Sequence, residues 1–364
     1  MEYRILPHGG ERISIIGMGS SVIGAQSEAD IIATVRYAVE HGVNFFDMAG
    51  GHAAIFEAYG KALKDVRDKV YLQVHFGADY TTGAYGWTTN LKEIKKSVAW
   101  QMEKLQTDYI DFGFIHCLDE EKDLEAYQRN GVLDYLLEMK QKSVVRHLGL
   151  SSHTPARVER VLDMGLVDIV MFSINPVYDY GQGDFGIGGN EERQALYRRC
   201  AKEGVGISVM TPFCGGQLLD AAKSPFHIAL TKYQCLQYAL DKPGVVTVLP
   251  GAGSVKELQE ILTFLDAAPE EKDYAVLGEV APEEAAARCV YCQHCHPCPV
   301  GLDIALINKY YDLTLLGDNL AKEHYLTLEK TVEKCVQCGH CNSRCPFHVD
   351  QMARMRTIRD YFGK

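Results

Sequence analysis

The sequence predicts an α/β chain: a (β/α)8 barrel of the TIM type followed by a small, mainly α-helical module. Three observations carry that prediction. Between residues 12 and 265, eight short apolar runs recur, each followed by a helical pattern, as in a parallel sheet wrapped by helices. From Ala267 to Arg288 the composition turns acidic and alanine-rich, which marks a linker and helix. Beyond it, eight of the twelve cysteines crowd into two stretches. The expected division is a barrel over 1–265, a linker helix over 266–287 and a cysteine-dense module over 288–364. A chain of 364 residues exceeds one ordinary domain and suits this division.

In order, the expected strands are Arg12–Gly17, Val43–Ala49, Val70–Phe76, Tyr109–Cys117, Arg146–His153, Val167–Pro176, Val205–Pro212 and Val245–Gly251. Runs this apolar fit a parallel sheet covered on its outer face. Helical spacing follows at Ala29–His41, Lys92–Leu105 and Leu133–Lys142, and again at Ile304–Leu315 and Leu320–Val332 between the cysteine groups. Two stretches break the rhythm, Gly77–Thr89 and Tyr178–Asn190, both rich in glycine and aromatic residues. They follow strand ends, where barrels of this kind build their sites, and read as substrate walls or lids.

A hydrophobic content of 47% is ample for a buried core. No apolar run approaches the roughly 18 residues that cross a bilayer. A net charge of −11 argues against nucleic acid and anionic membrane as partners. The start, Met1-Glu-Tyr-Arg, has no apolar signal-peptide core, so a reducing cytoplasm is expected. Nothing in the composition sets an oligomeric state.

The two cysteine groups read Cys289-Val-Tyr-Cys292-Gln-His-Cys295-His-Pro-Cys298-Pro299 and Cys335-Val-Gln-Cys338-Gly-His-Cys341-Asn-Ser-Arg-Cys345-Pro346. Two sets of four, each closing on Cys-Pro, is the spacing of a ferredoxin-like domain holding two [4Fe–4S] clusters. Three thiolates at a repeat of three wrap one corner of a cubane, and the fourth usually reaches across to the other cluster. The expected ligand sets are Cys289, Cys292, Cys295 and Cys345 for one cluster, and Cys335, Cys338, Cys341 and Cys298 for the other. Structural zinc uses Cys-x-x-Cys pairs without a third and fourth cysteine in register before proline. The clusters would carry electrons in an anaerobic setting, or would brace a module with a thin core. Cys117, Cys200, Cys214 and Cys235 are scattered, as small buried hydrophobes usually are.

Residues 1–265 resemble the aldo-keto reductase superfamily, through Ile16-Gly-Met-Gly, Gly42-Val-Asn-Phe-Phe-Asp47, Leu105-Gln-Thr-Asp-Tyr-Ile-Asp111, Phe114-Ile-His116, Leu148-Gly-Leu-Ser-Ser152 and Leu249-Pro-Gly-Ala252. The whole chain is similar to the branch with a C-terminal two-cluster ferredoxin-like extension. The resemblance implies reduction of aldehydes or ketones with NADPH, a tyrosine protonating the carbonyl oxygen beside a lysine, an aspartate and a histidine. Asp47 and His116 stand at the family's aspartate and histidine. His52 stands where the tyrosine is expected and His75 where the lysine is. Among cofactor positions, Ser151, Ser152 and Asn175 match. Met171 and Met210 replace the glutamine and the aromatic that hold nicotinamide, and Gly251 and Glu257 stand where a cation would meet the 2′-phosphate.

Asp47, His52, His75, His116 and His153 all fall at the carboxyl ends of the second to fifth strands, the face where such barrels do chemistry. As acid–base groups, His52 would replace the tyrosine with Asp47 holding its other nitrogen, and His116 would orient the substrate oxygen. As ligands, the same imidazoles and carboxylate suit a catalytic divalent metal. Clusters move single electrons whereas nicotinamide moves a hydride. NADP(H) is therefore one possible cofactor, and a ferredoxin or flavoprotein feeding the clusters is the alternative. The expected function is an oxidoreductase acting on a carbonyl or hydroxyl group of a small polar molecule. A metal-dependent lyase or isomerase and a non-catalytic electron carrier are the other readings.

Overall fold

The computed structural model describes residues 1–181, 186–280, 289–315 and 319–363. One sheet holds eight strands: β1 (Met18–Gly19), β2 (Phe45–Asp47), β3 (Tyr71–Phe76), β4 (Ile110–Ile115), β5 (Val145–Ser152), β6 (Ile169–Ser173), β7 (Gly206–Met210) and β8 (Val245–Val248). They neighbour one another in chain order. Parallel bridges from Ile16 to Val248 and from Gly19 to Gly251 join the first to the last, so the sheet closes into the expected barrel. The register sets Asp47 opposite Gln73 and His75 opposite Phe114.

The first apolar run does not form a single barrel strand. Arg12–Ser14 pairs antiparallel with Tyr3–Ile5 in a hairpin, and the chain joins the barrel only from Ile16. Burial explains the split. Leu6 and Ile13 are wholly buried among Phe45, Phe112, Ile169 and Val246, filling the barrel interior near the amino ends of its strands.

Helices α1 (Glu28–Glu40), α2 (Ala54–Leu63), α3 (Leu91–Lys104), α4 (Glu121–Arg129), α5 (Val132–Gln141) and α6 (Pro155–Leu162) follow the first five barrel strands. Their starts obey local chemistry. Ser27 Oγ accepts the Asp30 N–H, Asn90 Oδ1 accepts those of Lys92 and Glu93, and Pro155 opens α6 where its missing N–H costs nothing. Further on come α7 (Pro176–Asp179), α8 (Asn190–Glu203), α9 (Lys232–Leu240), α10 (Val255–Leu262) and α11 (Leu277–Val280). The cysteine-rich end carries α12 (Ile304–Leu315), α13 (Asn319–Leu326), α14 (His340–Arg344) and α15 (Gln351–Phe362). The helix expected over Leu320–Val332 stops at Leu326, and a short 3₁₀ turn follows at Val332–Lys334. Residues 182–185 of the second glycine-rich loop and residues 281–288 of the expected linker lie outside the described residues. Among the described residues no helix is long and apolar enough to cross a membrane.

Contacts group the chain into two units that cut across chain order. The first takes Met1–Ile174, Val205–Gly215 and Val246–Ala267; the second takes Asn175–Gly204, Gly216–Val245 and Ala268–Lys364. Inside the first, Asp111 ties three strands together. Its buried carboxylate meets Arg67 Nη1 at 2.8 Å, Arg146 Nη1 at 3.0 Å and the Leu72 N–H at 3.0 Å. Tyr109 offers its ring to both guanidinium groups, at 4.0 and 4.3 Å. Asp111→Ala is expected to cost about 3–5 kcal/mol, because it strands a nearly buried Arg67 charge; urea unfolding of the variant checks this. Inside the second unit, Leu302, Ile304, Ile307, Tyr325, Met355 and Ile358 form a small core, and Tyr325 stacks on Phe362 at 3.8 Å. Asp179 is a second buried hub there, accepting from Arg193 Nε at 2.9 Å, Tyr197 Oη at 2.5 Å and Tyr238 Oη at 2.8 Å.

Candidate active site and cysteine cavities

Three of the four expected catalytic side chains meet at the carboxyl ends of β2, β3 and β4. Asp47 closes β2, His75 lies one residue before the end of β3, and His116 directly follows β4. His75 Nε2 stands 2.8 Å from Asp47 Oδ1, and His75 Nδ1 stands 3.0 Å from His116 Nδ1. On the far side of His116, the Tyr85 hydroxyl lies 2.9 Å from Nε2. With Asp47 as acceptor, the tautomers follow in order. His75 donates from Nε2 and accepts at Nδ1, His116 donates from Nδ1 and accepts at Nε2, and the Tyr85 hydroxyl donates into the chain. The line runs from a fully buried imidazole, His75, to a tyrosine 46% exposed.

Neighbours hold this line in place. Gln73, two residues before His75 and so on the same strand face, donates to Asp47 Oδ1 at 2.7 Å. Its Oε1 accepts from Ser208 Oγ at 3.1 Å, and its amide also meets Met171 Sδ at 3.1 Å. The His116 carbonyl accepts from Tyr127 Oη at 2.9 Å and Trp87 Nε1 at 3.3 Å. Tyr85 sits just before Gly86 in a short antiparallel ribbon, Ala78–Asp79 with Gly86–Trp87, and its ring packs 5.9 Å from that of Tyr80. The ribbon can leave β3 only through a glycine. Gly77 has φ +117°, and a Cβ there would lie 2.2 Å from Tyr127 Oη. The hydroxyls of Tyr59 and Tyr80 are buried without a partner among the described residues. Burial raises both above the usual phenol range, and the Asp47 charge adds to the effect.

Burial, reinforced by His75, holds His116 well below the usual imidazole value, against an opposing pull from Asp119. His116 is therefore a neutral acceptor for Tyr85, while burial keeps Tyr85 protonated. The unfolded chain takes up this proton first as pH falls, at about 6.5. The contribution of neutral His116 to stability is whole above that value and is lost as pH drops toward the folded pKa. The acid limb of the kcat profile is accordingly expected below about pH 6.5, and a pH–rate profile with its midpoint at or above that value would contradict it.

The remaining expected residues are placed differently. His52 is exposed, and it is the ring that a Cβ on Gly24 would meet, at 3.0 Å from its Cδ2. Asp47, expected to hold His52, turns its Oδ1 to His75 and Gln73. The Ser151 and Ser152 hydroxyls brace the loop after β4: Ser151 Oγ accepts the Cys117 N–H at 2.8 Å, and Ser152 Oγ donates to the Leu118 carbonyl at 2.7 Å. His153 pairs with Asp119, Nδ1 to Oδ2 at 2.9 Å. Burial would raise the Asp119 carboxyl, but hydrogen bonds from the His153 side chain and backbone pull it down to about 2. Ligand atoms of Cys117, Asp119 and His153 lie within 4.8 Å of one another, so among the described residues this trio is a group that could hold a metal ion. Asn175 caps α7, accepting the Tyr178 N–H at 3.0 Å. Met210 packs on the barrel's interior apolar cluster. Gly251 leaves room for Val22, whose Cγ2 a Cβ would approach to 2.5 Å.

Tyr85, Gln73 and Asp119 were not singled out from the sequence. Gln73 carried a usable signal, its even spacing from His75 on one strand. Tyr85 lay in a loop already marked as a substrate wall, without a pattern to select it from its aromatic neighbours.

The cysteines converge in two small cavities. One is lined by Cys289, Cys292, Cys295 and Cys345, together with Ala305, Phe347 and Gln351. The other is lined by Cys298, Cys335, Cys338 and Cys341, and Cys295 lines it as well. Burial raises the Cys295 thiol, and Cys289, Cys292 and Cys345 add to the rise. Burial likewise pushes Cys289 up to about 11 and Cys292 to about 12. Four thiols converging on one small cavity fit a cluster of iron and sulfide. Metal coordination deprotonates a thiol that burial alone keeps neutral.

The aldo/keto reductase family model matches residues 15–231. The chain belongs to the aldo/keto reductase family. A 4Fe-4S dicluster domain matches residues 285–349. This aldo/keto reductase is thus an oxidoreductase of that family with an iron–sulfur domain at its C-terminal end. It is 27% identical to L-galactose dehydrogenase of Arabidopsis thaliana, across 71% of this chain and 86% of that one. It is 26% identical to the uncharacterized oxidoreductase YqkF of Bacillus subtilis, across 68% of this chain and 86% of that one. Among solved structures, the aldo-keto reductase AKR11C1 from Bacillus halodurans, in its holo form, superposes with a TM-score of 0.62 at 22% identity, covering 78% of this chain and 97% of that one. An aldo-keto reductase from Klebsiella pneumoniae in complex with NADPH gives 0.56 at 17%, covering 78% and 96%. At such identities the structures speak for the fold alone.

Proposed function

We propose that this aldo/keto reductase reduces, or reversibly oxidises, a carbonyl or hydroxyl group of a small polar substrate, with electrons arriving through two [4Fe–4S] clusters. The observation that carries the reading is the unbroken donor–acceptor line from Tyr85 through His116 and His75 to Asp47. In the reducing direction Tyr85 gives its proton to the substrate oxygen. To do so its hydroxyl turns from His116 Nε2, and His116 keeps its Nδ1 proton against His75 and stays neutral, which leaves Tyr85 as a phenolate. Reprotonation of Tyr85 from solvent at the exposed end resets it. In the oxidising direction the same groups draw the hydroxyl proton inward.

The cysteine cavities support the ligand sets Cys289, Cys292, Cys295, Cys345 and Cys335, Cys338, Cys341, Cys298. When bound, such clusters supply electrons one at a time. A cleft of about 600 Å³ beside Cys292, lined in part by Lys272, His294, His296 and Arg344, offers a mixed-charge surface for a ferredoxin or flavoprotein donor. NADP(H), held by the Klebsiella pneumoniae aldo-keto reductase, is the competing source of electrons. Met171 and Met210 in the barrel interior give nicotinamide neither an amide partner nor an aromatic face. A metal-dependent lyase or isomerase would draw instead on Cys117, Asp119 and His153.

The test is turnover by anaerobically purified protein over a panel of small aldehydes, ketones and hydroxy acids, with reduced methyl viologen or with NADPH as donor. Viologen-driven reduction is expected. Turnover with NADPH alone would return the protein to ordinary hydride transfer. Turnover with neither donor, abolished by chelation, would establish the metal reading.

A further inference from the structure

Lys242 is 1% exposed, and its Nζ is buried without a hydrogen-bond partner among the described residues. It directly follows Asp241, which caps the end of α9. Its ammonium lies 3.6 Å from the centre of the Tyr238 ring and 5.9 Å from that of Tyr274. Those rings meet edge to face at 5.2 Å. Aromatic faces offset part of the cost of burying a cation, not the whole of it.

The nearby carboxylates are already engaged. Asp179 accepts from Arg193, Tyr197 and Tyr238. Asp241 accepts from Tyr274 Oη at 2.8 Å and Gln237 Nε2 at 2.7 Å. The same Tyr274 hydroxyl reaches the carbonyl of Val290, between Cys289 and Cys292, at 3.3 Å. Asp241, Tyr274 and Cys292 also share the wall of one cleft. The cation thus sits one aromatic ring away from the first cysteine set. Burial lowers its pKa; the opposing influences are Asp179 and Asp241, then Cys292 and Cys289.

We infer that Lys242 is the counter-charge of the cluster held by Cys289, Cys292, Cys295 and Cys345, and sets that cluster's reduction potential. A [4Fe–4S] centre on four thiolates is anionic in both oxidation states and gains a further negative charge on reduction. A fixed cation behind a low-dielectric screen of tyrosine rings stabilises the reduced form more than the oxidised one. Lys242 is a positioning residue here: it alters the electron affinity of the cluster without being one of its ligands. The inference rests on the two-cluster reading above.

The experiment is an EPR-monitored redox titration of anaerobically purified full-length protein, as wild type, Lys242→Met and Lys242→Arg, after iron and acid-labile sulfide have been measured in each. The methionine keeps the apolar stem and removes the charge. It is expected to weaken reduction of one cluster at least tenfold, a fall in its midpoint of about 59 mV or more for a one-electron couple, and to move the other less. Lys242→Arg is expected to restore the midpoint. If Lys242→Met alone fails to hold a full complement of iron, the missing charge is the cause and the inference stands. Unchanged midpoints in a fully loaded Lys242→Met protein would overturn it. So would equal loss of iron in both variants, which would assign Lys242 to packing. A wild type without clusters would instead remove the two-cluster reading itself.

Discussion

Replacing Tyr85 with phenylalanine is expected to lower kcat by about 10²–10⁴-fold, the usual worth of a positioned general acid. The substitution keeps the ring that packs on Tyr80 and removes only the hydroxyl that lies 2.9 Å from His116 Nε2. The ribbon and its Gly77 exit are untouched, so loss of rate would report chemistry rather than a displaced loop. His116→Phe is expected to cost a similar factor, and the double variant little more, because two links of one line fail together. His52→Ala is the control. Its exposed ring belongs to no part of the line, and its rate should match that of the wild type. If Tyr85→Phe turned over at the wild-type rate, or if His52→Ala abolished turnover, the proton path would have to be redrawn through the residue first expected from the sequence.

The second large effect concerns Cys345. It lies in the second cysteine run, yet it shares a cavity with Cys289, Cys292 and Cys295. Cys345→Ser should therefore disturb the cluster of the first run and leave the other intact, lowering bound iron from about eight atoms to about four. A pair of double variants decides the matter. Cys345→Ser combined with Cys289→Ser should lose no more iron than either alone, because both strike one cluster. Cys345→Ser combined with Cys338→Ser should lose nearly all of it. The reverse pattern would mean that each cluster is built from one contiguous run, with Cys298 and Cys345 kept at home. Iron and sulfide assays on anaerobic protein read out every arm.

Much of this arrangement was legible because it follows from periodicity and spacing. Strands buried on both faces declare themselves as apolar runs, and the residues at their carboxyl ends are fixed by register, which is why Asp47, His75 and His116 could be placed before any coordinates. The expected crossing of Cys298 and Cys345 between sets came from the same kind of argument, a spacing that constrains a cubane, and the iron assays above decide it. Loop-borne chemistry was not. Tyr85 reaches His116 through a ribbon whose direction depends on Gly77 at φ +117°, and nothing in the composition of that loop fixes where a particular ring will point. His52 stands at its expected motif position but is exposed, because position in a motif does not guarantee orientation, and Asp47 Oδ1 meets His75 and Gln73 on β3. The first strand was misread for another reason. Arg12–Gly17 is apolar enough for a barrel strand, but its first half is buried by plugging the barrel rather than by lining it.

That plug makes the barrel a cup rather than a pipe. With Leu6 and Ile13 sealing the floor, a proton or water molecule that reaches Asp47 and Gln73 must come and go past the rim. Solvent hydrogen exchange at the His75 and His116 ring nitrogens should therefore respond to whatever occupies the mouth. A bound substrate would slow it sharply, while loosening the floor by trimming the amino-terminal hairpin would hasten it. Turnover in the trimmed protein would then pass its protons through a second opening that the native fold denies.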